Sequence, residues 1–69
     1  MILIASNQKY ALFSDENKTY LKEVGAFETV AEIDLPTNLG HLQYGTGIAA
    51  LVNSSKVRIY DFIFKKDIY

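Results

Sequence analysis

His41 is the residue with the most versatile chemistry in this chain, and it is the only histidine among 69 residues that include no cysteine. With one histidine and no cysteine, the chain lacks the residues for a multi-histidine metal site, and a Ser-His-Asp triad would have to use His41. We expect no metal, no cofactor and no catalytic residue. Two interpretations of His41 stay open, a contact to a ligand or partner subunit and a partly exposed loop histidine without a role.

His41 lies in a glycine-rich segment, GHLQYGTG, at residues 40–47. Glycines allow successive backbone N–H groups to converge on an oxyanion, as in phosphate-binding loops. No lysine follows these glycines and no βαβ unit surrounds them, so a turn chosen for backbone freedom is the stronger interpretation. Long loops in small domains often carry function. We therefore predict a ligand or partner site here, with the candidate residues His41, Gln43, Tyr44 and Thr46.

Three carboxylates, Glu28, Glu32 and Asp34, alternate with apolar residues in the segment 27–35. Alternation with a period of two is typical of a strand with one buried face. Paired carboxylates can serve glycoside hydrolysis or bind Ca²⁺ or Mg²⁺. A single exposed strand offers neither walls nor a second set of ligands, so we expect a solvated face or a docking surface for a basic partner.

An aromatic stripe follows near the end of the chain, where Arg58, Tyr60, Phe62 and Phe64 share one face of a predicted strand. Aromatic rings beside cations suit single-stranded nucleic acid, but the net charge of -1 argues against that partner. Tyr, Phe and Arg are also enriched in protein interfaces. We predict a subunit interface through Tyr60, Phe62 and Phe64, and add Arg58 and Tyr60 to the candidate ligand-binding residues.

The elements that would position these residues are short strands. The stretch 46–64 is typical of a β-hairpin with its turn at 53–56, and the runs 2–5 and 10–13 predict another hairpin. The segment 15–24 fits a strand or a short helix between Ser14 and Gly25. Pro36 ends the strand 27–35, because proline cannot donate a ladder hydrogen bond. The segment 37–47 is predicted to be irregular, with room for one helical turn.

The sequence therefore predicts an all-β fold, with at most one short helix. The last hairpin is apolar on both faces, which favours a small antiparallel barrel or a two-layer sandwich of about six strands. The turn and strand at 6–13 can be aligned with those at 53–60 as a weak internal repeat. Because a propeller blade contains four strands, about one and a half blades would be present, too few to close a ring.

Length and composition limit the function further. The chain has room for one domain, residues 1–69, with hydrophobic residues at 49% and charged residues at 22%. Six acidic residues oppose three lysines in residues 1–35, a balance of -3, whereas four basic residues oppose two acidic ones in residues 36–69, a balance of +2. Such a dipolar chain can orient copies of itself. So small a core also favours a homo-oligomer.

We expect a non-catalytic binding protein that acts as a homo-oligomer, an inhibitor, adaptor or ligand-sequestering module like those that phages and mobile elements encode. Its partner would be a protein or a small ligand. The apolar run 1–5 is too short for a signal peptide or membrane span, so we expect a cytoplasmic protein without membrane contact. Two alternatives remain, a small barrel that binds single-stranded nucleic acid and a small hydrolase or nucleotide-binding protein that uses the 40–47 loop.

Overall fold

A computed structural model describes residues 1–26, 28–54 and 56–68. Eight β-strands follow one another, and no helix occurs among these residues. The strands are β1 (Ile2–Ser6), β2 (Tyr10–Ser14), β3 (Thr19–Glu23), β4 (Thr29–Ile33), β5 (Leu39–Leu42), β6 (Ile48–Asn53), β7 (Lys56–Asp61) and β8 (Lys66–Asp67).

The strands form two four-stranded antiparallel sheets, β1-β2-β3-β4 (sheet 1) and β5-β6-β7-β8 (sheet 2). In each sheet every strand pairs with its neighbour in sequence. The prediction of a small all-β sandwich is therefore confirmed. The number of strands is eight rather than about six, and the ambiguous segment 15–24 contains strand β3 and no helix.

Two strands were missed for a physical reason. Strand β5 lies inside the segment 37–47, where Gly40 suggested a loop. Gly40 is instead required by close packing, since a Cβ atom there would lie 2.8 Å from Ile4 Cγ2 and 3.2 Å from Leu12 Cδ2. Strand β8 has two residues and carries no sequence pattern that would reveal it.

The other predicted strands are present with bounds that differ by a few residues. The hairpin predicted at 46–64 is formed by β6 and β7, paired from Ile48 with Asp61 to Asn53 with Lys56. The strand predicted at 27–35 is β4, Thr29–Ile33. Phe27 at its predicted start, Ser55 in the hairpin turn and Tyr69 lie outside the described residues.

The core lies between the facing sides of the two sheets. Leu12 and Leu21 come from sheet 1, and they meet residues of sheet 2 and of the turn that follows β7. Leu12 and Leu21 are fully buried. The residues that sheet 2 and this turn contribute are Leu42, Ala49, Leu51, Tyr60 and Phe62.

Strands β1 and β5 lie side by side and run in the same direction. Gly40 approaches Ile4, and three residues further along both strands the side chain of Asn7 reaches the carbonyl oxygen of Gln43. Between the sheets, the strands that make close backbone contacts are β1 and β2 with β5. The two sheets are therefore closest at their first strands.

A buried polar cluster holds the connection from sheet 1 to sheet 2. The hydroxyl group of Thr19 donates to the carbonyl oxygen of Leu35 at 2.6 Å and lies 2.7 Å from the hydroxyl oxygen of Thr37. The N–H of Thr37 donates to Ser14 Oγ at 2.9 Å. On the side of sheet 2, the amide group of Asn53 donates to the carbonyl oxygen of Pro36 at 2.7 Å. The linker is therefore hydrogen-bonded to both sheets.

The two sheets repeat the same register. In β2 and β3, Ser14 pairs with Thr19. Adding 38 to each number gives Val52 and Val57, which are themselves paired in sheet 2. The same shift carries the pairs Phe13–Tyr20, Leu12–Leu21, Ala11–Lys22 and Tyr10–Glu23 onto Leu51–Arg58, Ala50–Ile59, Ala49–Tyr60 and Ile48–Asp61.

This repeat differs from the alignment that the sequence suggested. The sequence comparison paired the turn at 6–9 with the turn at 53–56, whereas the structural counterpart of the β1–β2 hairpin is β5–β6. The first strands show it, since Ile2 pairs with Ser14 and Leu39 pairs with Val52. The chain thus contains two complete four-stranded units, and the unrecognised strand β5 was the source of the shifted alignment.

The Thr19 cluster predicts a specific loss of stability. Thr19→Val preserves the side-chain shape and removes the hydroxyl group that donates to Leu35, leaving buried polar atoms without a partner. We expect the free energy of unfolding to fall by about 1–3 kcal/mol in urea denaturation. Thr29→Val, the same change on an exposed residue of β4, should shift it by no more than about 0.5 kcal/mol. Equal losses in both variants would contradict the role of the cluster.

The β2–β3 turn predicts sensitivity to acid. The N–H of Asn17, the hydroxyl of Tyr20 and the N–H of Lys18 all donate to the Asp15 carboxylate and hold its pKa below the ordinary 3.8. The unfolded chain therefore binds more protons once the pH falls below the ordinary value, so the stabilisation is complete above that value and is lost as the pH falls through the folded pKa. Asp67, whose pKa is lowered by Arg58, acts with the same sign.

The measurement is urea denaturation at about pH 6 and about pH 3, on either side of the ordinary pKa of Asp. The wild-type chain should be less stable at the lower pH. Asp15→Asn should lose less stability between the two, because its amide does not titrate. Glu16→Gln removes a neighbouring carboxyl group that accepts none of these bonds, and it should behave as the wild type. An unchanged pH response in Asp15→Asn would refute the assignment.

Candidate functional site

The turn between β5 and β6 is connected to the turn between β1 and β2 through one side chain, Asn7. Its Oδ1 accepts the N–H groups of Lys9 at 2.8 Å and Tyr10 at 2.7 Å, which shapes the β1–β2 turn. Its Nδ2 donates to the carbonyl oxygens of Gln43 at 2.7 Å and Thr46 at 3.0 Å. One amide group therefore fixes both turns and joins the two sheets.

Three N–H groups in and beside the β5–β6 turn form hydrogen bonds within it. Gln43 donates to the carbonyl oxygen of Ile48, Thr46 donates to that of Gln43, and Ile48 donates to Thr46 Oγ1, at 2.9, 3.3 and 3.1 Å. Gly45 has φ +72°, a conformation that favours glycine. Because these amides are occupied, they are not free to converge on an oxyanion as a phosphate-binding loop requires.

Tyr44 projects from this turn. Its side chain is 77% exposed. A shallow depression of about 510 Å³ lies beside it, and we call the residues around it the turn surface. The residues of the turn surface are Ser6, Asn7, Gln8, His41, Leu42 and Tyr44. Of the predicted site residues, the structure thus brings His41 and Tyr44 together, with Gln43 and Thr46 in the same turn.

The structure separates Arg58 from this surface. Arg58 lies in β7, donates through Nε and Nη2 to the Asp67 carboxylate, and lies 5.0 Å from the centre of the Tyr60 ring. The hydrogen bonds to Asp67 raise the pKa of Arg58. Tyr60 is buried and contacts Phe62 edge to face with ring centres 5.0 Å apart. Neither Arg58 nor Tyr60 is among the residues that surround the depression.

The three aromatic residues of the predicted interface lie in different environments. Phe62 is only 1% exposed and Tyr60 is buried with it in the core, whereas Phe64 is 74% exposed. Asp61 turns back to accept the N–H groups of Ile63 at 2.9 Å and Phe64 at 3.2 Å, which shapes the turn after β7. Of these three residues, Phe64 is therefore the one whose side chain is available for direct contact with another subunit.

Two of the three predicted carboxylates, Glu32 in β4 and Asp34 just after it, are paired with a cation. Lys18 Nζ lies 3.3 Å from Glu32 Oε1 and 3.6 Å from Asp34 Oδ1. Within residues 1–26, 28–54 and 56–68, no group of three or more His, Asp or Glu residues is arranged to hold a metal ion. The same residues contain no helix long and apolar enough to cross a membrane.

A larger groove, of about 950 Å³, lies at the opposite end of the sheets. Met1 and Ile2 lie at its edge, and Ser14 and Thr37 face it. Those two polar residues already bond to each other. The groove is also lined by the charged or polar residues Asp15, Glu16, Asn17 and Asn38.

Sequence reasoning missed the part of the turn surface that comes from the first hairpin, Ser6, Asn7 and Gln8. The turn itself could have been predicted, since the side-chain oxygen of an asparagine after a short strand commonly accepts hydrogen bonds from the backbone N–H groups that follow it. No local signal shows that the other end of the same amide bonds to residues 36 and 39 positions later.

The role of Asn7 can be tested with an isosteric change. Asn7→Asp keeps the acceptor that shapes the β1–β2 turn and replaces the donor to Gln43 and Thr46 with an oxygen that repels their carbonyl groups. We expect a loss of about 1–3 kcal/mol in unfolding free energy and faster amide hydrogen exchange at Thr46 and Ile48. Gln8→Glu, the same chemical change one residue later, should leave both unchanged. Protected turn amides in Asn7→Asp would contradict this role.

Comparison with protein families, with curated proteins and with solved structures adds no relative to this description. No family model matches the chain, and no curated protein and no solved structure matches it significantly. The functional interpretation therefore depends on the residues and geometry of the chain itself.

Proposed function

We propose that this chain is a non-catalytic cytoplasmic binding protein, an inhibitor or adaptor, that acts as a homo-oligomer and contacts a protein partner through the turn surface. The observation that carries the proposal is the exposed Tyr44 on a turn that Asn7 fixes from the other sheet. Catalysis is not needed to account for any feature of this surface.

Tyrosine is well suited to such a contact. It supplies a large, rigid, amphipathic area while only two side-chain torsions have to be ordered on binding. The hydrogen bonds from Asn7 to Gln43 and Thr46 order the turn before a partner arrives, and less conformational entropy is then lost on association. An aromatic side chain on a rigid support is the usual form of an energetic hot spot.

The neighbours of Tyr44 support a polar rim around that contact. Gln8 and His41 are exposed beside it, and they offer hydrogen-bond donors and acceptors.

A protein partner is better supported than single-stranded nucleic acid. Base stacking needs exposed rings next to free cations. Tyr60 and Phe62 are buried and Arg58 is paired with Asp67, which leaves Phe64 as the exposed ring of that stripe. The turn surface itself contains no lysine or arginine.

Tyr44→Ala tests the proposal. The immobilised chain is used to capture proteins from an extract of its host, the retained protein is identified by mass spectrometry, and its dissociation constant is then measured by calorimetry. We expect Tyr44→Ala to weaken binding by about 30-fold, the size of a hot-spot truncation of about 2 kcal/mol. Tyr44→Phe should recover most of the affinity.

Val24→Ala is the control, because Val24 is exposed in the β3–β4 turn and does not border the depression. It should bind as the wild type does. Circular dichroism would establish that all variants are folded. If the wild-type chain retains no protein, or if Tyr44→Ala binds it with unchanged affinity, the turn surface is not the binding site.

A further inference from the structure

Because the register of sheet 1 is repeated in sheet 2 with a shift of 38 residues, each face of sheet 1 has an equivalent face in sheet 2. The side of sheet 1 that packs in the core includes Leu12 and Leu21, and the shift of 38 carries them to Ala50 and Ile59. Ala50 and Ile59 lie on the outer side of sheet 2, on the face opposite to the buried Leu51. The outer face of sheet 2 is therefore the counterpart of the packed face of sheet 1.

The remaining two faces are related in the same way. Phe13 and Lys22 lie on the outer face of sheet 1, and the shift carries them to Leu51 and Tyr60, which pack in the core. The outer face of sheet 2 thus corresponds to the inner face of sheet 1, and the outer face of sheet 1 corresponds to the inner face of sheet 2. Because the two inner faces pack on each other, the outer face of sheet 2 in one copy can pack in the same way on the outer face of sheet 1 in another copy.

The sizes of the side chains agree with this match. Inside the chain, Leu12 of sheet 1 lies against Gly40 of sheet 2. The register counterpart of Leu12 is Ala50, and that of Gly40 is Leu3, since Leu3 pairs with Phe13 as Gly40 pairs with Leu51. In the contact within the chain, the large residue belongs to sheet 1 and the small residue to sheet 2. In the contact between copies, Ala50 of sheet 2 is the small residue and Leu3 of sheet 1 is the large one. A large side chain thus still faces a small one, with one carbon more than in the contact between Leu12 and Gly40.

The outer face of sheet 2 is apolar over two rows except for His41, and it is uncovered within the described residues. Leu39, Val52 and Val57 form one row across its strands, and His41, Ala50 and Ile59 form another. Leu39 is 68% exposed and Val57 is 67% exposed. A contiguous apolar face of this kind marks an interaction site.

The charge distribution favours one orientation. Residues 1–35, which contain sheet 1, carry a balance of -3, and residues 36–69, which contain sheet 2, carry +2. Contact between sheet 2 of one copy and sheet 1 of the next brings halves of opposite net charge together, whereas a symmetric contact between two copies of sheet 2 brings halves of the same net charge together. The two apolar rows of the outer face of sheet 2 carry no lysine or arginine themselves, so this preference acts at long range.

We propose that copies of this chain join head to tail, with the outer face of sheet 2 of one copy packed on the outer face of sheet 1 of the next. This inference rests on the homo-oligomer of the proposed function and specifies its surfaces. A head-to-tail contact closes into a ring when its rotation divides a full turn, and otherwise it extends into a filament. Rings of four-stranded sheets typically contain about four to eight sheets, so two to four copies of this two-sheet chain form the ring.

The test uses the full chain and two variants, one on each outer face. Val57→Glu places a charge on the outer face of sheet 2, and Leu3→Glu places one on the outer face of sheet 1. Sedimentation and light scattering at tens of micromolar should give a closed species of two to four chains for the wild type and the single-chain mass of 7.8 kDa for each variant. Val24→Glu, an exposed control outside both faces, should assemble as the wild type does.

A mixture of the two variants is decisive for the orientation. Each variant keeps the face that the other has lost, so an equimolar mixture should form one head-to-tail contact and a species of twice the single-chain mass of 7.8 kDa. Circular dichroism establishes folding, and Leu39→Glu replaces Val57→Glu if the latter does not fold. A mixture in which both variants stay single chains overturns the head-to-tail contact.

The other outcomes separate this inference from the proposed function. A wild-type chain that stays at 7.8 kDa overturns both the homo-oligomer and its head-to-tail form. A variant that assembles like the wild type overturns the head-to-tail contact and leaves an oligomer formed through another surface, such as Phe64. A mass that grows without limit as concentration rises overturns the closed ring.

Discussion

The relative position of the two sheets depends on polar side chains that bond either to the backbone of the opposite sheet or to the linker between the sheets. Asn7 forms such bonds at one end, and Thr19, Thr37 and Asn53 hold the linker at the other. A chain of 69 residues buries too little apolar surface to fix an orientation by packing alone. Hydrogen bonds are directional, so they supply the orientation that a small and non-directional core does not.

The fold class followed from composition and alternation, and so did most strands. The β6–β7 hairpin was predictable because its arms are rich in β-branched and aromatic residues around a polar turn. Strand β5 was not predictable, because a glycine occurs both in flexible loops and in strands where a neighbouring side chain packs too closely for a Cβ atom. Only the position of Ile4 in the neighbouring strand shows that Gly40 is of the second kind. The error had a further effect, since an unrecognised strand also shifted the alignment of the repeat.

The candidate site shows the same division between local and distant information. His41, Gln43, Tyr44 and Thr46 were selected because a glycine-rich segment is the usual place for a binding loop, and they do lie in or beside one turn. Arg58 and Tyr60 were added from the alternation of one strand, which shows that they share a face but not that the face is turned to the core. Burial of a face depends on the partner layer, and a single strand carries no information about it.

The duplication of the four-stranded unit has a consequence for how the chain folds. Within each unit, every strand pairs with its sequence neighbour, so the pairing requires only short loops to close. Proteins dominated by local contacts fold quickly, and each unit can begin to form without the other. The contacts between β1 and β5 require a much longer segment to be ordered first. Bringing the two units together therefore carries a larger loop-closure cost than pairing the strands within either unit.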